Sequence, residues 1–192
     1  MTNFNSLRTH HILDGAQLAS AHESHLQLDT SSGALSLLQD FTLQSPICVQ
    51  ANTPLTAARK LASSTPTDAL MVLDEQGQVI GVTSSVELQS IRVTTQALQL
   101  GLKPSELMVH DVMRSLHVLP CITMLAVRNT SLGNVLSTME RTGSFYLLVT
   151  ENEQIRGILC ARKIAKTLNM GLDITPVAQS FQDVVASVEH PH

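Results

Sequence analysis

Two stretches of this sequence use one pattern twice: Asn52-Thr53-Pro54-Leu55 is echoed by Asn129-Thr130-Ser131-Leu132, and each opens a segment with helical periodicity. Self-similarity of this kind marks one supersecondary unit that occurs in duplicate. The echo continues downstream, where Ala69 through Gly81 matches Phe145 through Gly157 in pattern and length, with two short apolar runs flanking a polar turn. Runs this short, bounded by turn residues, read as the strands of a hairpin, and Gly77 suits the first turn. Beyond the hairpins, Gly81 to Leu88 and Gly157 to Ile164 occupy equivalent places and lead into helical stretches ending near Leu100 and Met170. Each unit therefore reads strand, helix, strand, strand, helix.

The first helix of each unit has a start signal. Thr53 can cap free backbone amides and Pro54 suits the first turn, with Leu55, Ala58 and Leu61 as the inward stripe. The counterpart uses Thr130, then Leu132, Val135, Leu136 and Met139. A three-stranded sheet with two helices on one face keeps its other apolar face uncovered, and a second copy supplies the cover. The expected fold class is α/β: two tandem repeats, residues 40–100 and 107–170, packed through their sheets as a pseudo-twofold pair. With 192 residues and 43% hydrophobic content, the chain has enough apolar material for such a core.

Residues 1–39 form a leader, with a helix expected around Leu13 to Leu28 and a Ser-rich linker from Asp29 to Gly33. Residues 171–192 form a tail in which Thr175-Pro176 precedes Val177, Phe181, Val184, Val185 and Val188, spaced as one face of a helix. That face docks on the chain's own core or on a second chain. A net charge of -4 provides no basic field for a phosphate backbone, and Arg8, His10 and His11 form no sustained basic surface, so nucleic acid is not an expected partner. No apolar run is long enough to span a bilayer, and the opening residues lack the pattern of a signal peptide. The expectation is a cytoplasmic chain without a membrane partner. Cys48, Cys121 and Cys160 stand far apart, which argues for reduced thiols and against a zinc site. No nucleophile elbow, H-E-x-x-H or Walker loop is present, so no catalytic residue, metal or certain cofactor is assigned and an enzyme is not expected.

The order of elements, the segment Val109-His110-Asp111-Val112-Met113 before the second unit, and the Gly-led strand-to-helix junctions together resemble the cystathionine β-synthase (CBS) domain family, over roughly residues 40 to 170. In that family an Asp-Val-Met segment commonly precedes a repeat. Asp111-Val112-Met113 matches it as written, and Asp40-Phe41-Thr42 matches it loosely. The resemblance implies a tandem pair, or Bateman module, with two clefts between the repeats that take adenosine-containing ligands in some members. It also implies dimerisation and regulation of an attached or partner protein.

In ligand-binding members the junction carries Gly, a hydroxyl residue three positions later and Asp three beyond that. The hydroxyl sits at a helix N-terminus, where backbone amides and the dipole favour phosphate, and a carboxylate one turn later can accept both ribose hydroxyls. Here the first junction has Gly81, Ser84 and Glu87. The second has Gly157, Cys160 and Lys163, where the acceptor is replaced by a cation that, with Arg162, can meet a phosphate. Ile47, Val49, Val112 and Met113 are candidate apolar walls for adenine. The bland readings stand beside these: Ser84 and Glu87 as a helix cap with a solvated acid, Arg162 and Lys163 as a solvated face, the apolar four as ordinary core. Two functions are weighed: a regulatory module sensing AMP, ADP, ATP or S-adenosylmethionine, and a ligand-free dimerisation or protein-interaction module.

Overall fold

The computed structural model describes residues 28–64, 69–172 and 174. The helices expected in the leader and the tail fall, apart from Leu28, on residues outside the described ones. In chain order the elements are β1 (Gln39–Asp40), β2 (Cys48–Gln50), α1 (Leu55–Ser64), β3 (Leu70–Leu73), β4 (Val79–Thr83), α2 (Ile91–Leu100), α3 (Val109–Val112), β5 (Arg114–Ser115), β6 (Cys121–Thr123), α4 (Met124–Arg128), α5 (Leu132–Thr142), β7 (Tyr146–Glu151), β8 (Gln154–Cys160) and α6 (Ala161–Leu168). Short 3-10 turns cover Ala34–Leu37, Glu87–Gln89 and Leu116–Val118.

These strands form two four-stranded sheets, ordered β2-β3-β4-β5 and β1-β8-β7-β6. Within each sheet a parallel pair is followed by an antiparallel hairpin: β2 runs parallel to β3 and β3 antiparallel to β4, as β6 does with β7 and β7 with β8. The fourth strand of each sheet comes from elsewhere in the chain. β1 lies at the start of the first repeat yet pairs with β8 of the second unit, and β5, within residues 107–170, pairs with β4 of the first. The units are thus tied by an exchange of short strands.

Side-chain alternation along the strands divides the core in three. Leu70 and Val72 face α1 and α2 together with Leu55, Ala58 and Val93. Leu147, Val149 and Leu159 face α5 and α6 with Leu132, Val135, Met139 and Ile164. The opposite faces meet each other, where Met71 and Val82 of one sheet pack with Tyr146, Leu148, Ile158 and Cys160 of the other. The pairing of the two repeats through their sheets is therefore present. Each large side chain enclosed there contributes about 1.5–3 kcal/mol of transfer free energy, which makes the inter-sheet layer a substantial part of the stability.

Several local expectations shift. The two hairpins differ in length, because Val72 pairs with Gly81 whereas Val149 pairs with Gly157. Counting back from the glycines, Ala69 corresponds to Tyr146, one residue later than the match of Ala69 with Phe145 suggested. The first hairpin closes through Gly77 at φ 78°, with the Asp74 carboxylate accepting from Gln76 N and Gln78 N. The second turns on Asn152 and Glu153, both at positive φ, the backbone of a two-residue type I′ turn. The cap of α5 is Ser131, whose Oγ accepts from Asn134 N, instead of Thr130. The segment read as a linker is docked: the Asp29 carboxylate holds Ser31 and Ser32, and the carbonyls of Thr30 and Ser32 accept from Gly133 and Leu132 at the start of α5.

The strand registers also relocate the loose motif match. Ser115 stands opposite Gly81 and Asp40 opposite Gly157, so Asp40 is the counterpart of Ser115, and residues 36–38 are the counterpart of Asp111-Val112-Met113. Asp111 caps α3, its Oδ2 accepting from Met108 N at 2.8 Å. Asp40 instead pairs with Arg156 through both oxygens at 2.9 and 3.0 Å.

Candidate functional site: the strand-to-helix junctions

At the first junction β4 ends at Thr83 and the chain bends into the turn Glu87–Gln89. Ser84 Oγ accepts from Glu87 N at 3.3 Å, and Ser84 O accepts from Leu88 N. This is the capping role expected of a hydroxyl at that position. Glu87 is not a solvated acid. It is 7% exposed, and its two oxygens accept from two other segments of the chain. Arg114 Nε on the exchanged strand β5 donates to Oε1 at 3.2 Å. The hydroxyl of Tyr146, on β7 of the other sheet and 1% exposed, donates to Oε2 at 3.1 Å.

Burial dominates the electrostatics of this cluster. It pushes the Glu87 carboxyl above its ordinary value, against the opposing pull of the Arg114 charge and of both hydrogen bonds. The Tyr146 phenol is raised well above its usual value by burial and by the adjacent Glu87 charge. The Tyr146 direction fits a phenol that stays protonated and donates to Glu87. Arg114 and Tyr146 escaped the sequence reading. Tyr146 is the chain's sole tyrosine, set in an apolar run, and a buried phenol needs a hydrogen-bond partner; that was the available signal. Nothing local announced Arg114.

The second junction has different chemistry. Cys160 is buried in the inter-sheet layer and precedes α6 without a side-chain cap. The Arg162 guanidinium lies 5.0 Å from the centre of the Phe145 ring, and among the described residues its buried Nε has no hydrogen-bond partner. Lys163 is half-buried on α6. By the strand registers, the counterparts of Glu87, Arg114 and Tyr146 are Lys163, Gln39 and Ala69. The cluster therefore exists at one junction and has no chemical equivalent at the other.

The four apolar candidates belong to the core between the first sheet and its helices, with Val49 and Val112 buried there and Ile47 and Met113 partly buried against it. Two surface cavities lie elsewhere. One of about 690 Å³ is lined by Arg59, Lys60, Ser63, Ser64 and Gln89, and one of about 310 Å³ includes Asn52, Asp74, Glu75 and His110. Neither includes Ser84 or Glu87. Among the described residues no group of three metal-ligating side chains converges, and no helix is long and apolar enough to cross a membrane.

Residues 38–90, which span the first junction, match the family model described as "CBS domain". That stretch of the first unit is similar to a CBS domain. The second unit repeats the topology of the first, and solved structures share the architecture of the pair. A CBS-domain containing protein from Agrobacterium tumefaciens superposes with a TM-score of 0.51 at 14% identity, over 72% of this chain and 94% of that one. An uncharacterized conserved protein from Pyrococcus horikoshii gives a TM-score of 0.52 at 19% identity, over 76% of this chain and 98% of that one. At such identities the property that this chain shares with those proteins is the fold. No curated protein matches the chain in sequence.

Proposed function

We propose that this chain is a non-catalytic regulatory module, in which a ligand or partner acts by changing how the two CBS units sit on each other. The observation that carries this reading is the location of the junction chemistry. Glu87 of the first unit is bonded to Tyr146 of the second, so any occupant of that junction touches both units. An occupant with different affinity for two arrangements of the units shifts their balance, which is what a regulatory module requires. The ligand class we propose is an adenosine-containing molecule, namely AMP, ADP, ATP or S-adenosylmethionine. Its support is the family resemblance together with the Gly81, Ser84, Glu87 spacing. We further propose a cytoplasmic homodimer that regulates a partner protein, and repeat boundaries at residues 40–100 and 107–170.

Thermal-shift measurement with each of the four compounds tests the ligand class, because a molecule that binds only the folded state raises its stability by about 2.7 kcal/mol at a hundredfold excess over Kd. A concentration-dependent rise with any one of them supports sensing. No shift with all four removes sensing of these compounds by the native chain. Sedimentation showing a monomer at micromolar concentration removes the dimer.

A specific observation favours the second reading, a ligand-free interaction module: Glu87, the acceptor that a ribose would use, is already engaged by Arg114 and Tyr146.

A further inference from the structure

As a carboxylate, Glu87 can accept hydroxyl donors such as those of a ribose. In the folded chain it accepts a hydroxyl donor of the chain itself. The Tyr146 phenol reaches Oε2 at 3.1 Å from the opposite sheet while Arg114 Nε reaches Oε1 at 3.2 Å, and all three side chains are largely withdrawn from water. We propose that Tyr146 and Arg114 are a built-in occupant of the first junction, holding Glu87 in place of a ribose and closing that cleft to external nucleotide in the native state. The proposal rests on the reading of the junction as an adenosine-type site.

Three features support it. An occupant on the same chain has no association entropy to overcome, whereas a nucleotide must do so. Displacing it would also strip the buried Glu87 and Arg114 of a charge-assisted pair, and the guanidinium would then need a new anion. Finally, the occupant is peculiar to one junction: the counterparts of Tyr146 and Arg114 are Ala69 and Gln39, neither of which carries a phenol or a charge. The fold thus admits a small residue where the first junction has a tyrosine.

The chain contains one tyrosine and no tryptophan, so its intrinsic emission reports on Tyr146 alone. A hydrogen bond to a carboxylate quenches tyrosine emission, and release of the phenol is read directly. The experiment titrates AMP into the full-length chain and into the variants Glu87→Gln, Tyr146→Val and Tyr146→Val/Glu87→Gln, with calorimetry and emission followed together. Wild-type emission is expected to stay constant to millimolar AMP, and Glu87→Gln to change any wild-type AMP affinity by less than twofold. Tyr146→Val, which keeps a strand-forming residue and opens the space of the phenol, is expected to bind AMP at least tenfold more tightly than wild type. The added Glu87→Gln should cancel that gain.

Saturable dequenching of the wild type by AMP, with a tenfold affinity loss in Glu87→Gln, would overturn the proposal while upholding nucleotide sensing. A folded Tyr146→Val chain without the gain would overturn it too. Where Tyr146→Val does not fold, spectrophotometric titration of the wild-type phenol decides. Ionisation of the folded chain near the ordinary phenol value of about 10 shows a hydroxyl that Glu87 does not hold, and sinks the proposal; ionisation only on alkaline unfolding supports it. Absence of AMP, ATP and S-adenosylmethionine binding by wild type, with the gain in Tyr146→Val, removes native sensing and leaves the built-in occupant standing.

Discussion

Two carboxylates in this molecule have opposite environments, and their opposite pKa directions predict a stability profile with two limbs. Asp40 is held below the usual carboxylate range by its two-pronged hydrogen bonding with Arg156, helped by Thr42. A depressed folded value means that the unfolded chain binds the proton more tightly, so the contribution of Asp40 is present above about pH 4 and is lost as pH falls below that. Glu87 has a raised value because burial outweighs Arg114 and Tyr146. Its folded form binds the proton more tightly, so its contribution is fully present below the unfolded value near 4.5 and is lost as pH rises through the raised folded value. Denaturant midpoints measured from acid to neutral pH should rise on the Asp40 limb and then soften on the Glu87 limb. Asp40→Asn should flatten the first limb and Glu87→Gln the second. A second limb that persists in Glu87→Gln would mean that another group titrates there.

At the level of elements, the glycines that lead both junctions have a reason that lies in the exchanged strands. A Cβ on Gly81 would sit 2.6 Å from the carbonyl oxygen of Arg114 and 2.7 Å from the Met113 sulfur. On Gly157 it would collide with the Gln39 carbonyl oxygen. Each glycine lets a strand from outside its own repeat approach the sheet closely. Gly81→Ala and Gly157→Ala should each cost about 1–3 kcal/mol, the range for forcing extra volume into packed structure, measured by urea unfolding. The Gly157 change has backbone nearest on its side, the Gly81 change partly a flexible methionine, so Gly157→Ala should be the more damaging. A neutral Gly157→Ala would show that β1 is not held where the structure places it.

The two units are expected to unfold together on this architecture. Each sheet takes its fourth strand across the repeat boundary, and the inter-sheet layer of Met71, Val82, Tyr146, Leu148, Ile158 and Cys160 has no cover if either unit is removed. Thermal unfolding of the wild type should therefore be a single transition with calorimetric and van't Hoff enthalpies in agreement. A chain cut between the repeats, ending at residue 106, would lack β5 and should expose that layer and associate. Two resolved transitions in the intact chain would show that the units fold separately.

Fold class, the duplicated order of elements, the inward helix stripes and the sheet-to-sheet pairing were legible in the sequence, because hydrophobic periodicity and turn residues are local signals that survive without knowledge of the partner surface. The Gly81, Ser84, Glu87 spacing was legible for the same reason, and Ser84 does cap its turn. The one-residue hairpin difference was not, since Asn152-Glu153 lacks the glycine that advertises a type I′ turn and the two runs align equally well by pattern. Nor was the exchange of β1 and β5, because strands of two residues carry no periodicity and their pairing is decided by which sheet edge the chain can reach. The state of Glu87 was likewise settled only in three dimensions. Its partners stand 27 and 59 residues away, and a carboxylate becomes an acceptor for ribose, for solvent or for its own chain according to what the packing of two sheets brings within 3 Å or so of its oxygens.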